Sequence, residues 1–491
     1  MNYIIYDFET TGREARFDQI LQAGFICYDK KLKEINRINL KSRLNPDTIP
    51  SLGALRVNKL LLSDLLEEEK SSYLMMRDLN NFLKENTPGI FLGYNSIFFD
   101  EEFLRQAFWE NFNFPYLTST GKNFRGDIYS LATMTHAFDK NAFNVDINEN
   151  GKMSFKLESL SKINNFHINN AHEAIADVEA TKKIFEIIRN NSTKLFSNFM
   201  ENTNLINISK KIKENNFFTI YGYYGFHNIF LATLLGEHPV YNNNYLAYDL
   251  RYDPKEIINL DCRSLSDIYY TGKLNGKKFK CFRKLKLNKQ PAILDFKYAM
   301  SFKPYDKIEI EELQKRKNII ESSEIKKNMN KIQVTEAENY DSFPEYEEQT
   351  IYSENLNFQD KSIMENFHKE NWEDKWKFAS KFKDPRLQFF AAKHLYRNYP
   401  EFLPKNIFRR VHEKFSERFN SINEKKFTTL PSAMEEADNL SIEMEENNIN
   451  DFEKEQLEQY NIYINFLNSY YNDPNPEIIR FDRNLSKKLF Y

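Results

Sequence analysis

Four carboxylates and one histidine in the N-terminal part of the chain have the types and spacing for metal-assisted hydrolysis. Asp7 and Glu9 close the run Tyr3-Ile4-Ile5-Tyr6, which predicts a buried β-strand. Strand side chains alternate with period two, so both acids project from one face. Two acids there are costly unless something positive lies between them, and a pair of divalent cations is the obvious candidate. Asp100 ends the segment Gly93-Tyr94-Asn95-Ser96-Ile97-Phe98-Phe99-Asp100, placed just after a short strand and at the start of a helix. The helix dipole favours an acid there, and the position also suits the edge of a metal site. Asn170-Ala171-His172 then precedes Asp177. Five helical residues turn through about 500°, so His172 can join Asp177 only from the helix start. Cleaving a phosphodiester in line requires neutralising the attacking and the leaving oxygen. Two metals about 3.5–4 Å apart on bridging carboxylates do that, and a near-neutral histidine takes the proton of the attacking water.

The elements that must hold these groups read as an α/β unit. Strands are expected at Gln19–Tyr28, Glu34–Leu44 and Gly89–Tyr94, and helices at Ser72–Lys84, from Asp100, Asp127–Ala137, Lys156–Ile163 and His172–Arg189. Strands first and helices mostly later predict a mixed sheet flanked by helices. From about 193 the pattern turns β-rich, with strand-like runs at Phe217–Tyr221, Tyr245–Leu250, Lys278–Leu287 and Ala292–Asp295, then a charged helix near Ile308–Lys331. Residues from about 363 read as helical, with Trp372, Trp376, Phe378, Phe389, Leu395 and Phe402 available for packing. The expected division is residues 1–192, 193–345, a linker at 346–362, and a helical unit at 363–491.

Together, Asp7-x-Glu9, Asn95-x-x-x-Phe99-Asp100 and His172-x4-Asp177 match the three motifs of the DEDDh 3′→5′ exonucleases. Gly93-Tyr94-Asn95, Phe99-Asp100-Glu101, Ser154-Phe155-Lys156-Leu157-Glu158, His238-Pro239, Asp249-Leu250, Asn288-Lys289-x-Pro291 and Arg397-Asn398-Tyr399-Pro400 narrow it: the chain resembles bacterial exodeoxyribonuclease I over most of its length. That resemblance implies an RNase H-like exonuclease domain, an SH3-like β-rich domain and an all-α C-terminal domain. The activity it implies is Mg²⁺-dependent hydrolysis of single-stranded DNA to 5′-mononucleotides, in repair and recombination. By the same resemblance Asp7, Glu9, Asp100 and Asp177 hold two Mg²⁺ per site, Mn²⁺ being the alternative ion, and His172 is the general base. Asn95, Arg105, Tyr116 and Lys156 fall on substrate-contact positions. Lys156 stands where the family carries an arginine, so the charge survives but bidentate geometry does not. A tryptophan expected shortly after Tyr116 is absent, since Leu117-Thr118-Ser119 follows. The acidic tail of single-stranded DNA-binding protein is an implied partner.

Composition restricts the rest. The chain of 491 residues carries net charge −3, 28% charged and 15% aromatic residues, enough for two or three packed domains and against a protein that coats polyanions wholesale. Cys27, Cys262 and Cys281 are too few and scattered for a disulfide framework or zinc site. Asp7 and Glu9 fall where a signal peptide needs its apolar core, and no run of eighteen apolar residues exists, so a cytoplasmic protein is expected; a monomer is the expected state. Locally, residues 271–289 hold eight basic residues and no acid. As one hairpin strand they would place Lys278, Lys280, Lys284 and Lys286 around Phe282 on one face, with Arg283 breaking the pattern. Such a face, with Lys289 beyond it, suits a single-strand groove, the alternative being a charged edge that repels pairing. An RNA exonuclease and a non-catalytic DNA clamp are the competing readings.

Overall fold

In the computed structural model the opening strand lies at the centre of a five-stranded mixed sheet. β1 (Asn2–Thr10) pairs antiparallel with β2 (Ile20–Tyr28), which pairs with β3 (Glu34–Lys41). On its other side β1 runs parallel to β4 (Gly89–Gly93), which runs parallel to β5 (Phe124–Asp127). The structure describes residues 1–166, 173–339, 344–353, 356–446 and 450–491, without the side chains of 445 and 446. The period of two sorts β1 as expected. Ile4, Tyr6 and Phe8 pack with Met75, Leu79, Phe103 and Phe108 on one face, whereas Ile5 meets Ile128, Val178, Ile184 and Ile188 on the other. Asp7 and Glu9 belong to the Ile5 face. All nine residues of β2 are buried, because helices cover both faces of the sheet.

Seven helices lie within the described part of residues 1–192: α1 (Leu52–Asn58), α2 (Leu62–Glu67), α3 (Ser72–Asn86), α4 (Asp100–Glu110), α5 (Ile128–Phe138), α6 (Leu157–Ile163) and α7 (Ala174–Asn191). Local capping explains several starts. The Ser71 hydroxyl accepts from Leu74 N–H at 3.4 Å ahead of α3, and Asp127 accepts from Tyr129 and Ser130 N–H ahead of α5. α1 and α2 have no counterpart in the sequence reading. They are short, and what stabilises them is remote: Leu55, Leu62 and Leu66 share a core with Phe415, Tyr460, Tyr463 and Leu467. Part of the first seventy residues thus packs into the C-terminal helices.

A second five-stranded sheet is antiparallel: β6 (Phe218–Tyr223), β7 (His227–Glu237), β8 (Asn244–Asp249), β9 (Phe282–Lys286) and β10 (Ala292–Asp295), in the order β9-β8-β7-β6-β10. The expected strand Lys278–Leu287 is broken. Cys281 N–H donates to the Phe279 carbonyl at 3.0 Å, a tight turn that leaves Lys277–Lys278 pairing with Lys273–Leu274 and β9 pairing with β8. Lys278 and Lys280 therefore share no continuous face with Lys284 and Lys286. The charged helix is likewise two, Ile310–Ser322 and Ile325–Glu338. The Ser323 hydroxyl donates to the Ile320 carbonyl at 2.8 Å and accepts from Ile325 N–H at 3.4 Å, ending one helix and starting the next.

From Phe358 onward the described chain is mainly helical, with Trp372 and Trp376 partly buried against its core. Residues 346–362, read as a linker, contain a helical turn at Glu347–Thr350 and the start of the helix Phe358–Lys369. Glu348 in that turn is fully buried against Lys393 at 2.8 Å and Arg418 at 3.0 Å. Among the described residues no helix is long and apolar enough to cross a membrane.

Candidate active site

Asp7, Glu9 and Asp177 each place a carboxylate oxygen within 4.8 Å of the other two. Among the described residues they are the one group of acids, histidines or cysteines close enough to share an ion. Asp7 and Glu9 come from β1, and Asp177 from the first turn of α7. Their meeting depends on a glycine. Gly24 of β2 is the ladder partner of Asp7, and a Cβ there would lie 2.7 Å from the Ala174 carbonyl carbon and the Ile175 nitrogen. Any larger residue pushes the start of α7 away from the sheet and Asp177 with it.

Asp100 stands just outside this trio. It is buried, and its Oδ1 accepts from Phe8 N–H at 3.0 Å, between the two acidic residues of β1. The turn that presents Asp100 hangs on Asp127, which sequence reasoning placed only at the start of a helix. Asp127 accepts from Asn95 N–H at 2.9 Å and Ile97 N–H at 3.3 Å as well as capping α5. Asn95, at φ 63°, thereby makes the tight turn from β4 toward α4 with its side chain exposed. An acid between a strand and a helix is the signal that could have revealed this.

The electrostatics of the group are one-sided. Burial, then the charges of Asp100, Glu9 and Asp177, push the Asp7 carboxyl well above its usual range. Burial with Asp177 and Asp100 pushes Glu9 up to about 8. Asp100 also rises to about 8, through burial and the charges of Asp127 and Glu101, against the hydrogen bond from Phe8. Carboxyls held this way are short of positive charge, and hard oxygen donors suit a divalent cation. Glu9 opens on a cleft of about 1050 Å³ whose walls include Phe8, Asn95 and Phe99 and, from the C-terminal region, Lys425, Lys426 and Phe427. His172, the expected base, and His167 lie outside the described residues.

The remaining predicted contacts divide. Lys156 is exposed just ahead of α6. Arg105 is buried, with Nη2 at 2.9 Å from Glu101 Oε1, so its charge is already spoken for; its Cζ lies 5.6 Å from the Tyr116 ring centre. The Tyr116 hydroxyl donates to the Ile351 carbonyl at 3.4 Å. Lys284 is exposed but paired: Nζ sits 2.7 Å from Glu336 and 4.0 Å from the Tyr269 ring centre, residues of the helices Ile325–Glu338 and Cys262–Thr271. Lys280 is exposed, its stem folded over Gly272. Arg283, the charge that broke the pattern, pairs with buried Asp249 at 2.8 Å and stacks on Phe230 at 3.6 Å. Lys289 alone of the basic residues in this run reaches the helices around the first sheet, pairing with Glu102 of α4 at 2.8 Å.

A sheet with acids on its central strand and an acidic helix start laid beside them defines the class, an exonuclease domain. The family model described as Exonuclease matches residues 4–185, and that described as Exonuclease I SH3-like domain matches residues 204–335. The chain belongs to the exonuclease I family. Exodeoxyribonuclease I of Buchnera aphidicola subsp. Acyrthosiphon pisum is 30% identical over 271 residues, 54% of this chain and 65% of that protein, so the match spans just under two thirds of the relative. Among solved structures, exonuclease I from Methylocaldum szegediense superposes with a TM-score of 0.83 at 20% identity, covering 95% of this chain and 99% of that one. E. coli exonuclease I in complex with a dT13 oligonucleotide gives 0.81 at 20% identity, with the same coverage. At that identity the superpositions establish the fold, the expected sequence of exonuclease, SH3-like and helical regions.

Proposed function

We propose that the chain is a 3′→5′ exonuclease that hydrolyses single-stranded DNA to 5′-mononucleotides and serves DNA repair and recombination in the cytoplasm. The observation that carries this reading is the convergence of Asp7, Glu9 and Asp177 within 4.8 Å, with Asp7 and Glu9 starved of positive charge beside an open cleft. Family membership supports DNA as the polymer, and the E. coli relative is known bound to an oligonucleotide.

The donor set fits a divalent cation, with Asp7, Glu9 and Asp177 as the residues to hold it and Asp100 beside them. Two Mg²⁺ ions, when bound, would neutralise the attacking and leaving oxygens of the phosphodiester. The chain's own contribution is positioning and proton transfer. Asp100, by taking the Phe8 N–H, fixes β1 between Asp7 and Glu9 so that their side chains keep a common face. Asp127 holds the turn that carries Asn95 to the cleft. His172 takes the proton of the attacking water. Lys156 and Asn95 contact the strand, and the acidic tail of single-stranded DNA-binding protein docks elsewhere on the chain.

The test compares matched DNA and RNA oligonucleotides, labelled at the 3′ or the 5′ end, with Mg²⁺ and with chelator. Release of the 3′-terminal nucleotide first, from DNA faster than RNA and only with metal, is the expected result. Faster RNA hydrolysis would reverse the substrate, and binding without metal-dependent release would leave only a clamp.

A further inference from the structure

Three regions distant in sequence converge on one carboxylate beside the site. Glu102, two residues beyond Asp100 in α4, accepts from Lys289 Nζ at 2.8 Å, the Tyr352 hydroxyl at 3.1 Å and Arg16 Nη2 at 3.4 Å. Arg105 Nη1 lies 3.9 Å away. Arg16 comes from the loop after β1, Lys289 from the turn between β9 and β10, and Tyr352 from the segment leading to the C-terminal helices. The two outer cations also lie beside aromatic rings. Arg16 Cζ is 5.4 Å from the Tyr352 ring centre, and Lys289 Nζ is 5.2 Å from that of Phe98.

Those two rings are unusually open. Phe98 is 65% and Tyr352 56% exposed, although each is held next to a cation and near a buried helix start. Phe98 lies in the segment whose neighbours Asn95 and Phe99 line the cleft. Open rings alternating with cations are what a single strand needs, since bases stack and phosphates pair. A carboxylate ringed by an arginine, a lysine and a hydroxyl presents the same acceptors as a phosphate. Glu102 occupies that place from within, paired with Lys289 at 2.8 Å and Arg16 at 3.4 Å.

We propose that Arg16 and Lys289, flanked by Phe98 and Tyr352, form a nucleotide subsite for the strand outside the carboxylate cluster, and that Glu102 is an internal counterion which a strand phosphate displaces. This rests on single-stranded DNA being the substrate. The consequence is a shallow subsite. Each phosphate entering it must break ion pairs as good as those it makes, so the strand is gripped yet free to advance.

The experiment measures binding of a 5′-fluorescent oligo(dT) in chelator across a salt series, for wild type, Glu102→Gln, Lys289→Ala, Phe98→Ala and the triple variant Arg16→Ala/Lys289→Ala/Glu102→Gln. Gln keeps the size and an acceptor of Glu while removing the competing charge. Glu102→Gln should tighten binding severalfold, and that gain should vanish when Arg16 and Lys289 are also replaced. Lys289→Ala should weaken binding and flatten the log Kd against log salt slope by about 0.7, the value for one phosphate contact on a single strand. Phe98→Ala, at an exposed position, should weaken binding with the slope unchanged. The proposal is overturned if Glu102→Gln weakens binding as Lys289→Ala does, which would make Glu102 a strut, or if the slope of Lys289→Ala equals that of wild type. A wild type that binds and degrades the strand while no variant changes affinity refutes only the subsite. A wild type that does neither refutes the nuclease reading as well.

Discussion

Two groups of buried acids in this molecule end with their pKa values shifted in opposite directions, although burial acts on both alike. Asp7 and Glu9 are pushed far up by burial and by neighbouring carboxylates. Asp47 and Glu348 are just as buried, yet both are held below the usual range because Lys393, Arg397 and Arg418 outweigh the cost of burial. Arg397 grips Asp47 through both oxygens at 2.5 and 2.6 Å, Lys393 bridges Asp47, Glu110 and Glu348, and Arg418 meets Glu348. The second group joins the nuclease sheet's surroundings, the connecting segment and the C-terminal helices. Matched charges in the interior serve architecture; a buried set that lacks its match marks where an external cation belongs.

The largest expected effect removes a member of the unmatched set. Asp7→Asn should lose at least about three decades of turnover on a 3′-labelled oligonucleotide, a scale set by losing metal-based charge stabilisation, while raising the melting temperature in chelator. Activity near wild type would break the contrast. The sign of the pH dependence follows from the same group. Glu9 keeps its proton to about 8 in the folded protein, against 4.5 ordinarily. In chelator, stability should therefore fall as pH rises through that window, since the folded state binds more protons there. Mg²⁺ should abolish the fall in thermal melts.

Next comes the matched set. Glu348→Ala leaves Lys393 and Arg418 without their shared partner and should cost about 3–5 kcal/mol in urea unfolding. A cost below about 1 kcal/mol, the range of surface pairs, would show that the network is not truly desolvated. A smaller and purely geometric effect is expected from Gly24→Ala. Pushing α7 off β2 moves Asp177, and a shift of about 1 Å can cost about a hundredfold in kcat, with KM little changed. The smallest effect concerns Lys284. Because it pairs with Glu336 at the surface, Lys284→Ala should change stability by no more than about 0.5 kcal/mol, and the salt dependence of DNA binding should not change.

How much of this was legible follows the range of the forces involved. The period-two alternation of β1 and the helix starts expected at Asp100 and ahead of Asp177 are local patterns, and they placed Asp7, Glu9, Asp100 and Asp177 on the right elements. The basic run at 271–289 is not one continuous strand for a related reason. Its composition is local, but its pairing with Asp249 and Glu336 is not. β7 escaped notice as a strand because its first four residues, His227–Phe230, are only partly buried and its alternation is weak. α1 and α2 are held by side chains some 400 residues away, so no window on the sequence contains their cause.

By itself, then, the sequence determined the chemistry: which acids exist, which face of β1 they take, and the order of domains that resemblance implied. Tertiary structure alone decided three things. It brought Asp177 to Asp7 through the missing side chain of Gly24. It used Asp127 to hold the turn before Asp100. It also gave basic residues their acidic partners, Arg283 to Asp249 and Lys289 to Glu102 among them. Residue type fixes what a charge can do, but the neighbours that set its pKa and reach are chosen by contacts far apart in the chain, and those exist only once it has folded.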